Sequence, residues 1–241
     1  MMSHTPENRL IGALPPDDRQ LLLDQCSPFE FRQAHVFYDA GDPIDHVHFI
    51  VDGVVSAVAV LADGRMVETV MVGSEGLVGC VAALAPSRAH SRITAQVGGT
   101  CLRIEAPRMR MLTSERPAIR DGVARFVGQL QGELEQSVAC NALHRAEQRF
   151  AKWLLRCHDR VRDQVLHLTQ EYLASMLGSQ RTTVNEAAQG LQRAGAIAYS
   201  RGKITVLDRE ALERAACECY HVGSSLDRGV GVPVERNRTG T

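Results

Sequence analysis

The spacing of apolar residues changes period along the chain, and each change marks a different kind of element. Between Phe29 and Ile104 the apolar residues come in short runs broken by glycine, among them HVFYDAGDP, VHFIVDGVVSAVAVLADGRMVETVMVG and RITAQVGGTCLRI. Short runs bounded by turn residues predict strands, and Asp52-Gly53 and Asp63-Gly64 predict tight hairpins, because glycine takes the positive φ such turns need. Strands at this spacing predict a small barrel or sandwich rather than a parallel sheet. From about Pro117 to Asn141 the period lengthens: Ile119, Val123, Phe126, Leu130, Leu134 and Val138 recur every three or four residues, as on one face of a helix. A further helix is predicted from His144 to Arg160, with Phe150, Trp153, Leu154 and Leu155 as its core side. Ahead of the β-rich region, Pro15-Pro16 breaks the first two dozen residues into two short helical pieces, the second running from Arg19 to Cys26 behind Asp17 and Asp18.

The stretch from Leu168 to Asp208, LTQEYLASMLGSQRTTVNEAAQGLQRAGAIAYSRGKITVLD, carries the densest local information. Thr169 suits a helix N-cap, and Glu171 sets negative charge in the first turn. Leu173, Met176 and Leu177 share one face, and Gly178 suits a left-handed helix stop. Ser179 is expected to cap a second helix, whose buried stripe is Val184, Ala187, Ala188 and Leu191. Gly195 ends that helix. Ile197 and Tyr199 lead into a strand, Arg201-Gly202 turns, and Ile204-Thr205-Val206 returns. Two helices meeting at a glycine and followed by a β wing predict a winged helix-turn-helix, a unit that sets one helix into a DNA groove. Opposite the apolar stripe lie Thr182, Glu186, Gln189 and Arg193, flanked by Arg181 and Asn185. Arg181 can make a paired hydrogen bond to guanine, and Glu186 can accept from cytosine. The expected DNA contacts are Thr169, Ser179, Gln180, Arg181, Thr182, Thr183, Asn185, Glu186, Arg201 and Lys203.

The chain of 241 residues, 44% hydrophobic, is long enough for a substantial core and one or two domains. A net charge of −1 looks poor for a DNA binder, but its distribution corrects this: residues 1–106 carry 7 Lys+Arg against 13 Asp+Glu, and residues 141–203 carry 10 against 5. The basic excess therefore falls in and just before the helix-turn-helix, where phosphates would be met. No run approaches a membrane span, and MMSHTPENRL lacks the pattern of a secretion signal, so a cytoplasmic protein is expected. Seven scattered cysteines fit reduced thiols. Cys217 and Cys219 form a C-x-C pair, but no second pair or neighbouring histidine completes a zinc set, so no metal is expected. His46 and His48 alternate along a strand and should share a side as part of a polar strand face. Gly-Ser-Glu-Gly-Leu-Val-Gly at 73–79 lacks the lysine of a triphosphate loop. No nucleophile–base pair, carboxylate pair or metal set suggests an enzyme.

The order of parts, a glycine-punctuated β domain, a long helix and a winged helix-turn-helix, resembles the Crp/Fnr superfamily of bacterial transcription regulators over about residues 8–220. The resemblance implies an α+β chain: an N-terminal double-stranded β-helix (a jelly-roll-like, cyclic-nucleotide-binding-like β-roll) at 1–112, a dimerisation helix at 113–141, a winged helix-turn-helix at 142–220 and a disordered tail at 221–241. It further implies a homodimer on an inverted-repeat promoter site, joined through Ile119, Val123, Phe126, Leu130, Leu134 and Val138, with double-stranded DNA and RNA polymerase as partners and no membrane. Arg181 matches the family's guanine-reading arginine, and Thr169 and Thr183 match phosphate-holding positions, whereas Thr182 and Glu186 depart from the cyclic-AMP-responsive member.

The effector pocket implied by the family maps to Gly79, Cys80, Arg92, Leu134 and Glu135. Cys80 replaces the glutamate that takes the ribose hydroxyl, and Ile93 follows Arg92 where a serine stands, so the departures argue against cyclic AMP and leave an unidentified small molecule as the possible effector. Only Cys26 lies near the N-terminus, which argues against the fumarate–nitrate type of iron–sulfur sensor, and no spacing singles out a histidine for haem. The competing reading is a β-roll regulatory module whose C-terminal domain docks a protein partner rather than DNA.

Overall fold

The computed structural model describes residues 8–161 and 165–221. The elements run α1 (Arg9–Gly12), α2 (Pro16–Leu23), β1 (Ser27–Phe31), β2 (Val36–Tyr38), β3 (His46–Ile50), β4 (Val54–Val60), β5 (Met66–Val72), β6 (Leu77–Val78), β7 (Arg92–Val97) and β8 (Gly99–Glu105). They continue with α3 (Ala106–Glu115), α4 (Pro117–Leu143), α5 (Ala146–Arg160), β9 (Val165–His167), α6 (Gln170–Leu177), α7 (Arg181–Arg193), β10 (Ile197–Ser200), β11 (Lys203–Val206) and α8 (Arg209–Ala215). The tail expected beyond Tyr220 lies, His221 apart, outside the described residues.

The N-terminal strands form two antiparallel four-stranded sheets in the orders β1-β8-β3-β6 and β2-β7-β4-β5. Their inner faces enclose one core, which Ile11, Leu22, Met109, Ile119, Val123 and Phe126 close from α1, α2, α3 and the first half of α4. The ring of Phe126 lies against Gly76, where an added Cβ would collide with it, so this glycine is what lets α4 approach the sheet. The six-residue stripe expected to form the dimer contact therefore divides. Ile119, Val123 and Phe126 are buried within their own chain, Leu130 is half-buried, and only Leu134 and Val138 (71% exposed) face outward. The spacing of the stripe told correctly which residues share a face; it did not tell that the β-roll takes its first half.

Other differences are local. α2 begins at Pro16, which stands at its first helical positions, where the missing N–H costs nothing. α3 and α8 are helices that the apolar period alone does not announce, because both are short. His46 and His48 do share a side, with ring centroids 6.1 Å apart. His48 is not on a polar face, however: it is buried and contacts the rings of Phe29 and Phe37.

A second core joins α5, α6, α7, α8 and the three-stranded wing β10-β11-β9 around Phe150, Leu154, Leu173, Val184, Leu191 and Ile204. It is continuous with the β-roll through Val54 and Met71. One face of α5 makes the polar part of this seam. Trp153 Nε1 donates to Glu68 Oε1 at 3.1 Å, Arg156 donates to Glu133 of α4, and Arg160 Nε donates to Glu75 Oε1 at 2.8 Å. The donors stand three and four residues apart, so they point the same way. Burial pushes the Glu68 carboxyl up despite the hydrogen bonds of Ser56 and Trp153. Burial pushes Glu75 the same way, but the Arg160 charge and backbone N–H donors outweigh it and hold Glu75 below its ordinary value.

Candidate DNA-binding surface and sensor cavity

Each turn of the helix-turn-helix has a named support. Thr169 Oγ1 accepts the Tyr172 N–H at 3.2 Å and caps α6. Gly178 sits at φ +56°, the left-handed stop. The residue flanking α7 is Gln180, not Ser179, and no side chain caps that helix. Ser179 instead accepts from Arg149 Nη2 at 3.0 Å, while Arg149 Nη1 donates to the Leu177 carbonyl at 3.0 Å and to Asn141 Oδ1 at 2.8 Å. Arg149 thus ties the turn to the end of α4, and Ser179 belongs to that tie.

Val184, Ala187, Ala188 and Leu191 turn inward as their spacing demands, and this presents the opposite face of α7. Gln180, Arg181, Thr182 and Glu186 are exposed, and Thr183 and Asn185 are half-buried. Asn185 Oδ1 accepts from Gln170 Nε2 at 3.0 Å, so its carbonyl is committed to α6. β10 and β11 join through Arg201 (φ +50°) and Gly202 (φ +75°), the double positive φ of a two-residue hairpin turn matched to strand twist. The wing is fixed to the start of α6 by the Leu168 N–H to the Gly202 carbonyl at 2.7 Å and by Tyr199 Oη to the Leu168 carbonyl at 3.2 Å. Thr169, Arg181, Gln189, Tyr199 and Arg201 consequently line one concave surface between α7 and the wing, with Lys203 exposed beside the turn. Among the described residues, the side chains of Arg181, Arg201 and Lys203 form no hydrogen bond or ion pair with the protein.

The β-roll holds a cavity of about 310 Å³ between its inner faces and α4. Its walls are mainly apolar, including Val55, Val70, Leu77, Ile93, Leu130 and Leu134. Of the residues expected there, Gly79, Cys80 and Leu134 line it. Arg92 does not: its Nε donates to Asp39 Oδ1 at 2.5 Å. Glu135 is also elsewhere, exposed on α4 and accepting from Gln131 Nε2 at 3.0 Å. The charged group on the wall that sequence reasoning missed is Arg88, whose Nη1 donates to the Gly41 carbonyl at 2.7 Å. One sequence expectation is also corrected at the far end of α4: Cys217 and Cys219 acquire Cys140 and His144 as neighbours, and all four donor atoms lie within 4.8 Å of one another.

Two family models match the chain: "Cyclic nucleotide-binding domain" over residues 28–116 and "Crp-like helix-turn-helix domain" over residues 148–215. The chain belongs to the Crp/Fnr superfamily. Superfamily members of this kind are transcription regulators, not enzymes. The CRP-like cAMP-activated global transcriptional regulator of Mycobacterium tuberculosis is 26% identical over 214 residues, covering 86% of this chain and 96% of its own. Among solved structures, a Crp/Fnr-family regulator from Eubacterium rectale matches with a TM-score of 0.68 at 17% identity, covering 86% of this chain and 96% of its own. FixK2 from Bradyrhizobium japonicum matches with a TM-score of 0.66 at 17% identity, over 80% of this chain and 98% of its own. These two likenesses show the fold. No helix among the described residues of this Crp/Fnr chain is long and apolar enough to cross a membrane.

Proposed function

We propose that this Crp/Fnr chain is a cytoplasmic, sequence-specific DNA-binding regulator that sits as a homodimer on an inverted repeat and places α7 in the major groove of each half-site. The observation that carries the reading is the uncommitted guanidinium of Arg181 at the first turn of α7, beside a wing whose own cations are free. Recognition helices read bases mostly from their N-terminal residues. Arg181 would read guanine, Glu186 would accept from cytosine, and Thr169, Gln180, Thr182, Thr183, Arg201 and Lys203 would meet phosphates or neighbouring edges. RNA polymerase is the partner through which such a regulator would act.

The second copy would pair along the exposed face of α4. With Ile119, Val123 and Phe126 committed to the β-roll, the exposed positions left for pairing are Val138, the outer side of Leu134, and Gly128. A Cβ added at Gly128 would meet nothing within its own chain. Glycine in a helix costs about 1 kcal/mol relative to alanine, and the close approach of a partner helix supplies a use for it.

The β-roll cavity would hold an effector of largely apolar character. Cyclic AMP is not the expected effector: Cys80 offers no carboxylate to a ribose, and the walls are mainly apolar. Selecting bound sequences from random duplex DNA with the purified protein tests the reading. An inverted repeat with guanine at the Arg181 position is expected, and a direct or single site would overturn the two-fold arrangement.

A further inference from the structure

Three thiols and one imidazole converge where α4 ends. Cys140 lies in the last turn of α4 and His144 is the first residue past its end, and Cys217 and Cys219 meet them from the segment after α8. Cys140, Cys217 and Cys219 are 1%, 2% and 3% exposed and form a cluster separate from both hydrophobic cores. Cys140 Sγ and Cys217 Sγ are 3.6 Å apart, and Cys219 Sγ and His144 Nδ1 are 3.4 Å apart. Bonds of about 2.3 Å from zinc to sulfur and about 2.0 Å to nitrogen set tetrahedral ligands roughly 3.5–3.8 Å apart. The two short separations are those of a metal's shared ligands, and the first is far too long for a disulfide.

The surroundings match as well. His144 presents Nδ1 to the cluster, while its Nε2 lies 3.1 Å from Glu218 Oε1. A carboxylate on the far nitrogen of a ligating histidine fixes ring and tautomer. Lys152 Nζ lies 3.2 Å from Cys140 Sγ, and Gln136 Nε2 donates to Cys219 Sγ at 2.9 Å. Three thiolates around a divalent ion leave one net negative charge, which the Lys152 ammonium offsets.

We propose that Cys140, His144, Cys217 and Cys219 form a tetrahedral zinc site. Four protein donors, three of them soft, close the coordination sphere, which is the pattern of a structural rather than a catalytic zinc. On binding, the thiol protons pass to water and the ion changes no oxidation state. The site would clamp the end of α4 to the last segment of the winged helix domain, directly beside the link between α4 and α5.

The test is metal analysis of the full chain, made without a histidine tag and handled without oxygen. One zinc per chain should survive gel filtration, the Cys217→Ser/Cys219→Ser variant should hold none, and Cys26→Ser should keep it. Should the double variant misfold, wild-type protein stripped with chelator and given Co²⁺ should show the visible bands of a tetrahedral thiolate site, erased by Zn²⁺. Protein that retains no zinc and takes up neither ion overturns the proposal. So does a Cys140–Cys217 disulfide in peptides from that protein, or an iron–sulfur absorption spectrum. Failure of the DNA selection would leave this site standing.

Discussion

The β-roll and the winged helix domain deploy polar groups in opposite ways. In the β-roll the cavity walls are mainly apolar, Arg88 among them gives one N–H to the Gly41 carbonyl, and Arg92 stands off the wall against Asp39. In the winged helix domain the side-chain cations along α7 and the wing have no protein partner, while the turn behind them is held by Arg149 through the Leu177 carbonyl and Ser179. A surface meant for a polyanion needs donors that the fold has not already satisfied. A cavity with mainly apolar walls selects for shape and apolar area instead.

The strongest way to break this contrast is at the seam. Trp153→Ala removes a buried ring from the second core and the indole donor to Glu68, and should destabilise the chain by about 3–5 kcal/mol in urea unfolding. A loss below about 1 kcal/mol would mean that the two domains are not joined as described.

Next is the inside of the β-roll. Burial, with His46 and Arg103 adding to it, pulls His48 down to about 3. The folded protein thus refuses a proton that the unfolded chain accepts near pH ~6.5, so this contribution is complete above ~6.5 and is lost as the pH falls toward 3. Replacing His48 with phenylalanine, which suits neighbours such as Phe29 and Phe37, should remove that loss, on the order of 2–4 kcal/mol at the acid end. Melting temperatures of the two proteins should diverge progressively below pH ~6.5, and parallel curves would show that His48 is protonated in the fold.

The outward face gives smaller effects. Arg181→Ala should cost about 1–3 kcal/mol at one base pair and relax selectivity there, read from competition binding with matched and substituted sites. Equal losses on every sequence would reassign Arg181 to the phosphates. Lys203→Ala should weaken binding uniformly and lower the slope of log affinity against log salt by about 1.

The contrast also explains what could be read from the sequence. Thr169, Gly178 and the Arg201-Gly202 turn depend on neighbours within a few positions, so their roles are legible in the order of residues. Ser179 is misread because its partner, Arg149, lies thirty residues upstream. Arg92 and Glu135 are misplaced because a cavity wall is decided by how sheets and α4 meet, not by local pattern. α8 was within reach: Asp208 accepts the Ala211 N–H as its cap, and REALERA is rich in helix formers. The cysteine cluster was half visible. Predicting that α4 stops at Asn141 and that the next helix starts at His144 separates Cys140 from His144, whereas α4 running on to Leu143 brings them together.

The face of α5 that carries Trp153, Arg156 and Arg160 has an implication for motion. Each residue turns a helix by about 100°, so three donors aimed at three fixed carboxylates can be satisfied together at one rotation and at no neighbouring one. Docking of the winged helix domain is therefore a detent rather than a continuum. Inserting a single residue into α5 between Trp153 and Arg156 would not loosen the domain by degrees; it would turn Arg156 and Arg160 about 100° away from the face that Trp153 keeps.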